Sequence, residues 1–182
     1  MIGAQAVILA AGTSSRAGRQ KLLTSFRGQT MIDYAIAAAK VWNPLVVCGP
    51  EVERYLLGRT GVALVRNAEP QRGMSHSLAL ANRVVPAELS LIVLLGDKPL
   101  VTPSLIESIL AAAGDADFVY PQRDGVPGHP VVLSPRARNC IDALPPGDTI
   151  RFLRERPELK ARAVDTLALA AVFDVDVVKE AP

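Results

Sequence analysis

The sequence is short of cysteine, of aromatic residues and of net charge, and each shortage argues against a class of protein. The two cysteines among the 182 residues, Cys48 and Cys140, lie far apart and fit no metal-binding or redox spacing, so we expect free thiols in a reducing compartment. Aromatic residues make up 4% of the chain, and the formal net charge is +2. Such a chain has neither the broad positive field nor the stacking platforms of a nucleic-acid-binding protein.

Long apolar runs are also absent. No apolar stretch approaches the roughly 18 residues that a membrane span requires, and the apolar run near the N-terminus is short, with no basic residue before it. We therefore expect a cytoplasmic protein without membrane contact. The composition, 49% hydrophobic and 21% charged, is typical of a globular protein, and the length suits one domain.

Short apolar runs alternate with helical segments along most of the chain. The predicted strands are Ala6–Ala10, Leu45–Cys48, Val62–Val65, Leu91–Leu95, Phe118–Tyr120 and Val131–Leu133. The predicted helices are Thr30–Val41, Ser75–Val85 and Pro103–Ala113. This alternation predicts an α/β fold with a mainly parallel sheet covered on both faces, in which ligands bind at the carboxyl ends of the strands. The C-terminal third departs from the alternation, and we expect it to form a lid or an insertion.

The loop after the first predicted strand is rich in small residues and cations. From Gly12 to Lys21 it has the pattern Gly-x-Ser-x-Arg-x-Gly-x-x-Lys, with cations at Arg16, Arg19 and Lys21. Backbone N–H groups of such a loop can bind a polyphosphate while the cations neutralise its charge. The pattern is neither the ATPase phosphate loop, which needs Gly-Lys-Ser/Thr, nor the dinucleotide-binding fingerprint. The alternative interpretation is a solvated turn.

Two further motifs follow predicted strands. Asp97 comes directly after a buried strand and follows Gly96, a placement that suits a hard cation such as magnesium; alternatively, Asp97 caps a local turn. Ser75 and Ser77 lie at the start of a predicted helix, where they could donate hydrogen bonds to a base or ribose, or simply cap the helix.

The second half of the chain offers three more candidates, each with a structural alternative. His129, in a Gly-His-Pro turn, either faces the crevice and contacts a second substrate or is structural. Asp148 and Arg151 begin a short helix that is either a second anion site or a capped surface helix. Asp174 and Asp176 occupy alternate strand positions and share a face, so one of them could complete a metal site with the earlier aspartate, or both could lie on a solvated edge strand.

Together these motifs resemble those of the molybdenum cofactor nucleotidyltransferases, especially the cytidylyltransferase branch. The resemblance runs from Val7 to about Val177, and its most specific part is Leu-Ala-Ala-Gly-x-Ser-x-Arg-x-Gly-x-x-Lys at Leu9–Lys21. It implies a three-layer, Rossmann-like α/β fold of the nucleotidyltransferase type. It also implies one domain over residues 1–182, with residues 1–100 binding the nucleotide and residues 101–182 binding the acceptor.

The resemblance assigns roles to residues at matching positions. It implies nucleotide binding by Leu9, Ala10, Ala11, Gly12, Arg16, Lys21, Gly73 and Ser77. Lys21, Arg16 and Asp97 would be catalytic, and Asp97 and Asp176 would hold Mg²⁺. His129, Asp148 and Arg151 would bind the acceptor. Two departures from the family pattern are Lys98, where glutamine or methionine is usual, and a C-terminal ending that retains only Asp-x-Asp.

The activity that the resemblance implies is transfer of a nucleotidyl group from an NTP to the terminal phosphate of molybdopterin, with release of pyrophosphate. CTP is favoured because Ala11 stands where guanylyl-transferring members have glycine, and its methyl group crowds a purine. A client molybdoenzyme or its chaperone is the implied protein partner. The alternatives are another phosphorylated acceptor, such as a sugar phosphate or phospholactate, and a catalytically weak protein that binds and delivers the cofactor.

Overall fold

A computed structural model describes residues 3–12, 20–145, 147 and 149–171 of the chain. The strands are β1 Ala4–Ala10, β2 Ser25–Phe26, β3 Gln29–Thr30, β4 Leu45–Cys48, β5 Ala63–Arg66, β6 Ser90–Leu95, β7 Phe118–Arg123, β8 Val126–Pro127, β9 Val131–Leu133 and β10 Ala161–Asp165. The helices are α1 Met31–Ala39, α2 Pro50–Leu56, α3 Gly73–Val84, α4 Pro103–Ala111, α5 Pro135–Arg138 and α6 Arg151–Arg154. Short 3₁₀ turns cover Lys21–Leu23, Lys40–Trp42, Pro70–Arg72, Ile141–Ala143 and Leu169–Ala171.

The main sheet is mixed but mostly parallel. Its order is β10-β7-β9-β6-β1-β4-β5, and β8 pairs with β7 beside this path. The β1, β4, β5 and β6 strands pair in parallel, as do β7 and β10, whereas β9 runs antiparallel to both of its neighbours. The small β2–β3 hairpin forms a separate sheet. The predicted α/β class is therefore confirmed.

Alternate residues of the central strands pack into two apolar layers, one on each side of the sheet. On one face, Ile8 and its neighbours pack with residues of α1, α2 and α4. On the other face, Val7 and Leu9 pack with residues of α3, α5 and α6. Because both faces are covered, continuous apolar runs form the central strands, as the sequence predicted. The result is a three-layer, Rossmann-like arrangement.

The six predicted strands and three predicted helices are confirmed, with ends shifted by a few residues. The short helix α2 and the edge strand β10 were not predicted. The C-terminal third was expected to form a lid or an insertion, whereas its strand β10 extends the main sheet beside β7. In the described part of the chain, no helix is both long and apolar enough to cross a bilayer.

The register of β1 and β6 determines where the polar motifs meet. Leu9 lies opposite Leu95, and the backbone N–H of Gly96 donates to the carbonyl of Leu9 at 3.0 Å. The loops that follow both strands therefore leave the same edge of the sheet, as the parallel arrangement requires. At Gly96, a Cβ would lie 3.2 Å from Leu22 Cδ1, so a glycine here lets the 3₁₀ turn Lys21–Leu23 pack against the strand end.

Candidate nucleotide-binding site

A cavity of about 470 Å³ opens at the carboxyl ends of β1 and β6. The 3₁₀ turn Lys21–Leu23 and the first turns of α3 form its other walls. The cavity lies where ligands bind in open parallel sheets and is within the size range of small-molecule sites. Its lining residues are Leu9, Ala11, Gly12, Gln20, Lys21, Leu22, Pro70, Gly73, Met74, Ser77, Leu95 and Asp97.

Lys21 and Asp97 bring opposite charges together in this cavity. The Lys21 ammonium lies 3.6 Å from Asp97 Oδ2, and the two side chains are 21% and 34% exposed, respectively. Leu22 is buried and anchors the turn that carries the lysine, while the buried strand β6 delivers the aspartate. Among the described lining residues, the cavity therefore presents one lysine ammonium, which suits phosphate oxygens, and one carboxylate, whose oxygens are hard donors.

Asp97 suits a metal that is shared with a ligand. Within the described ranges, no group of three or more histidine, cysteine, aspartate or glutamate side chains could hold a metal ion on its own. Magnesium is commonly bound by one or two carboxylates together with substrate phosphates. The donor set at Asp97 fits that mode, because its partly exposed carboxylate faces the cavity expected to receive phosphates.

The first turn of α3 joins the cavity to a loop from the second half of the chain. Gly73 has φ +85° and ψ −174°, a conformation essentially confined to glycine, and a Cβ here would lie 2.8 Å from the Cα of Gly147. The Gly147 N–H donates to the Arg72 carbonyl at 3.2 Å, and Ser75 Oγ donates to the Pro145 carbonyl at 3.2 Å. Ser75 thus binds the loop, which corrects the expectation that its hydroxyl serves a base or ribose.

Ser77 does line the cavity, although its side chain is 5% exposed. Its hydroxyl accepts a hydrogen bond from Asn67 Nδ2 at 2.9 Å. Asn67 is completely buried and follows β5, and sequence analysis did not identify it. A lone asparagine after a strand resembles an ordinary turn residue, so no sequence signal distinguished it.

A second, smaller cavity of about 220 Å³ adjoins the first, and Met74 lines both. His129 and Arg151, two of the predicted acceptor residues, lie in its wall. The backbone N–H of His129 donates to the Ala171 carbonyl at 2.9 Å, and the imidazole Nδ1 lies 3.5 Å from the Val93 carbonyl oxygen. The imidazole therefore lies beside the backbone of β6.

Arg154 and Tyr120 also line the smaller cavity, and neither was predicted as a site residue. The Arg154 guanidinium lies over the Tyr120 ring, 5.2 Å from its centroid, and its side chain is 20% exposed. Arg151 lies in the same short helix, α6, and its Nε lies 2.8 Å from Glu155 Oε1. The cavity therefore combines apolar walls with two guanidinium groups. The sequence contained no motif around Arg154 that separated it from other surface arginines.

Several predicted site residues are not in either cavity wall. Ala10 is buried on the opposite side of β1, since alternate strand residues face opposite ways. Lys98, which departs from the family pattern, is 6% exposed and is not among the residues lining the larger cavity. Four predicted residues lie outside the described residues: Arg16, Asp148, Asp174 and Asp176.

Known proteins resemble this chain in sequence and in fold. The molybdenum cofactor cytidylyltransferase of Escherichia coli (strain K12) is 25% identical over 168 residues, which are 84% of this chain and 86% of that relative. The bifunctional protein GlmU of Stenotrophomonas maltophilia is 30% identical over 135 residues; the match takes in 70% of this chain and 30% of the length of that relative.

Among solved structures, the Rv0371c protein from Mycobacterium tuberculosis H37Rv superposes with a TM-score of 0.78 at 21% identity, covering 91% of this chain and 89% of that one. The same protein has been solved in complex with manganese, with a TM-score of 0.74 at 20% identity, covering 90% of this chain and 88% of that one. Residues 6–164 match the MobA-like NTP transferase domain, and the chain therefore belongs to that family.

Proposed function

We propose that this protein transfers CMP from CTP to the terminal phosphate of molybdopterin and releases pyrophosphate. The observation that carries the proposal is the pair of adjoining cavities that share Met74 as a common wall. One cavity has the charges that a metal-bound triphosphate needs, and the other has guanidinium and apolar groups for a phosphorylated ring system. Nucleotidyl transfer requires two such ligands to meet at one phosphorus atom.

The larger cavity would hold the nucleoside triphosphate. Lys21 would neutralise phosphate charge, and the backbone around Gly12 would provide N–H donors at the end of β1. Arg16, which belongs to the same motif, is proposed to act with the lysine. All residues lining this cavity fall between Leu9 and Asp97, which supports residues 1–100 as the nucleotide-binding part.

The smaller cavity would hold the acceptor. Arg151 and Arg154 are suited to phosphate oxygens, because guanidinium groups bind them through paired N–H donors. Phe118, Tyr120 and Ile150 offer an apolar surface to a flat heterocycle. Apart from Met74, the lining residues lie between Phe118 and Arg154, which supports residues 101–182 as the acceptor-binding part, with Asp148 among the proposed contacts.

The proposed reaction needs no general base. A phosphate monoester has a second pKa of about 6, so at neutral pH the acceptor phosphate is largely a dianion and already nucleophilic. Its oxygen forms a bond to the α-phosphorus, the bond from that phosphorus to the bridging oxygen of the β-phosphate breaks, and pyrophosphate departs with the electron pair. The chain contributes alignment of the two ligands and charge stabilisation, with Lys21 beside the phosphates.

A divalent metal, magnesium in our proposal, would be held by Asp97 with triphosphate oxygens, and Asp176 is proposed as a second ligand. Such an ion would supply positive charge that offsets the negative charge of the phosphates. The manganese complex of Rv0371c supports a divalent ion in a protein of this fold.

CTP is proposed over GTP because of Ala11. Ala11 lines the larger cavity and is 6% exposed, so its methyl group reduces the space available to a base beside the end of β1. A pyrimidine ring needs less room there than a purine ring.

Pyrophosphate release tests the proposal. The protein is incubated with magnesium and CTP, GTP or ATP, with and without molybdopterin, and pyrophosphate is measured by a coupled phosphate assay. We expect release that requires molybdopterin and is fastest with CTP. Release with GTP alone would overturn only the choice of base. Release with a sugar phosphate but not with molybdopterin would replace the acceptor, whereas no release with any pair would favour a binding and delivery protein.

A further inference from the structure

We propose that Asn67 selects the nucleobase by acting through Ser77: it orients the Ser77 hydroxyl as a hydrogen-bond donor toward the larger cavity, so that a base with an acceptor edge, cytosine, is preferred. The inference rests on the proposed use of that cavity for a nucleoside triphosphate. Asn67 is a positioning residue in this account, because it acts on the ligand only through the serine.

The orientation of the Asn67 amide follows from its neighbours. Asn67 Oδ1 accepts from the backbone N–H of Glu69 at 2.8 Å. A backbone N–H can only donate, so the oxygen must face Glu69 and the NH₂ group must face Ser77. The Asn67 backbone N–H donates in turn to the Cys48 carbonyl at 2.9 Å, which ties this residue to the end of β4. With a side chain that is completely buried, Asn67 has no alternative solvent partner.

The direction of the Asn67–Ser77 hydrogen bond then fixes the serine. An amide NH₂ offers only hydrogens, so Ser77 Oγ accepts the 2.9 Å bond and its own hydrogen must point elsewhere. A helical serine often donates to the carbonyl four residues earlier, here Gly73. Among the described residues, the Ser77 hydroxyl makes its hydrogen bond with Asn67 and not with that carbonyl. Because Ser77 lines the cavity, its hydrogen is available to a ligand there.

A fixed donor distinguishes bases by the edge that they present. Cytosine has an acceptor at N3, whereas uracil has an N–H at position 3 and guanine has N–H groups at positions 1 and 2. The O2 carbonyl is common to both pyrimidines, so the proposal requires the Ser77 hydrogen to face position 3 of the base. A donor facing an N–H leaves both hydrogens without an acceptor, and such buried mismatches are costly. Uracil and cytosine have nearly the same size, so the ratio of CTP to UTP affinity isolates this hydrogen-bond polarity from the fit of the ring.

The decisive variant is Asn67→Asp, which keeps the shape and the acceptor for the Glu69 N–H but replaces the NH₂ group with a second oxygen. The Ser77 hydrogen then turns to the carboxylate and presents a lone pair to the cavity. Affinities for CTP and UTP are measured by calorimetry with magnesium and no acceptor, at about pH 8. We expect the wild-type chain to bind CTP more tightly by roughly tenfold or more, and the variant to lose that ratio.

Ser77→Ala provides an independent test if Asn67→Asp fails to fold. It removes the donor, so the CTP-to-UTP ratio should also fall toward one, and adding Asn67→Asp to it should cause no further change in the ratio. The matched control is Ser75→Ala, because Ser75 lies two residues away in the same helix turn but donates to Pro145 instead. This control should keep the wild-type ratio.

The outcomes separate the inference from the proposed function. A wild-type chain that binds both nucleotides equally, or a Ser77→Ala variant that keeps the preference for CTP, would overturn the role of Asn67 while leaving nucleotidyl transfer intact. A folded wild-type chain that binds no nucleotide would overturn both.

Discussion

Gly73→Ala tests whether one backbone contact holds both cavities in shape. The substitution places a side chain at a residue with φ +85° and ψ −174°, a conformation that costs a non-glycine residue about 1–3 kcal/mol. It also brings the new Cβ to 2.8 Å from the Gly147 Cα, a backbone atom that cannot rotate away. We therefore expect a loss of at least 2 kcal/mol in the free energy of unfolding, or about 4–8 °C in Tm for a domain of this size.

The matched control is Gly58→Ala. Gly58 also has a positive φ, +81°, but a Cβ there would meet no heavy atom within 4 Å. The difference between the two variants, measured by urea unfolding and by thermal melting, gives the cost at Gly73 beyond that of a positive φ, which includes the close approach to Gly147. Where Gly73→Ala does fold, nucleotide affinity should fall as well, because Gly73 lines the larger cavity. Equal destabilisation by the two variants, with nucleotide affinity unchanged, would refute the reasoning.

Three further predictions concern charge and burial. Lys21→Ala should reduce the rate of pyrophosphate release by roughly 10²–10³ with an unchanged Tm, and near-wild-type turnover of this variant would contradict the role of the lysine. Lys160→Ala, which removes a surface ion pair with Asp115, should leave the rate unaltered. Arg138→Met should lower the free energy of unfolding in urea by about 3–5 kcal/mol, because the buried guanidinium donates to the carbonyl of Asn82 in α3 and to the carbonyls of Val85, Pro86 and Leu89 after that helix. A loss below about 1 kcal/mol would be inconsistent with these bonds. Burial, helped by the Glu53 carboxylate, raises the pKa of the Cys48 thiol to about 11. Between the ordinary thiol pKa of about 8.5 and this value, the unfolded chain loses a proton that the folded chain keeps, so stability falls as pH rises. Cys48→Ala should make this decline shallower; a slope equal to that of the wild-type chain would contradict the raised pKa.

The parts of the fold that the sequence predicted are those with local signals. Val7 and its neighbours form an unbroken apolar run, which is typical of a strand covered on both faces, and Thr102 with Pro103 marks a helix start through capping. Strand β10 lacked such a signal. It is an edge strand of sequence Ala-Arg-Ala-Val-Asp, and every second residue is exposed, so its pairing with β7 depends on distant residues.

The candidate site shows the same division. Lys21 and Asp97 could be predicted because each follows a recognisable strand, and parallel strands deliver their ends to one edge. Asn67 and Arg154 could not be predicted, because each was identified by a contact with another element. Asn67 contacts Ser77 in α3, and Arg154 contacts Tyr120 in β7, which is distant in sequence. The burial of Lys98 could not be predicted from the sequence either, because lysine side chains are rarely buried.

The spacing of Gly73, Met74 and Ser77 has a physical basis in α3. Gly73 is the first residue of α3 and Ser77 lies one turn further along the helix, and both line the larger cavity. Ser75, two residues after Gly73, is rotated away from that side and binds the Pro145 loop instead. Met74 lies beside the glycine and lines both cavities, and its side chain is unbranched and polarisable. The Gly-Met-x-x-Ser pattern therefore has a geometric basis: all three of its named residues lie in a cavity wall, whereas the serine between them binds a loop.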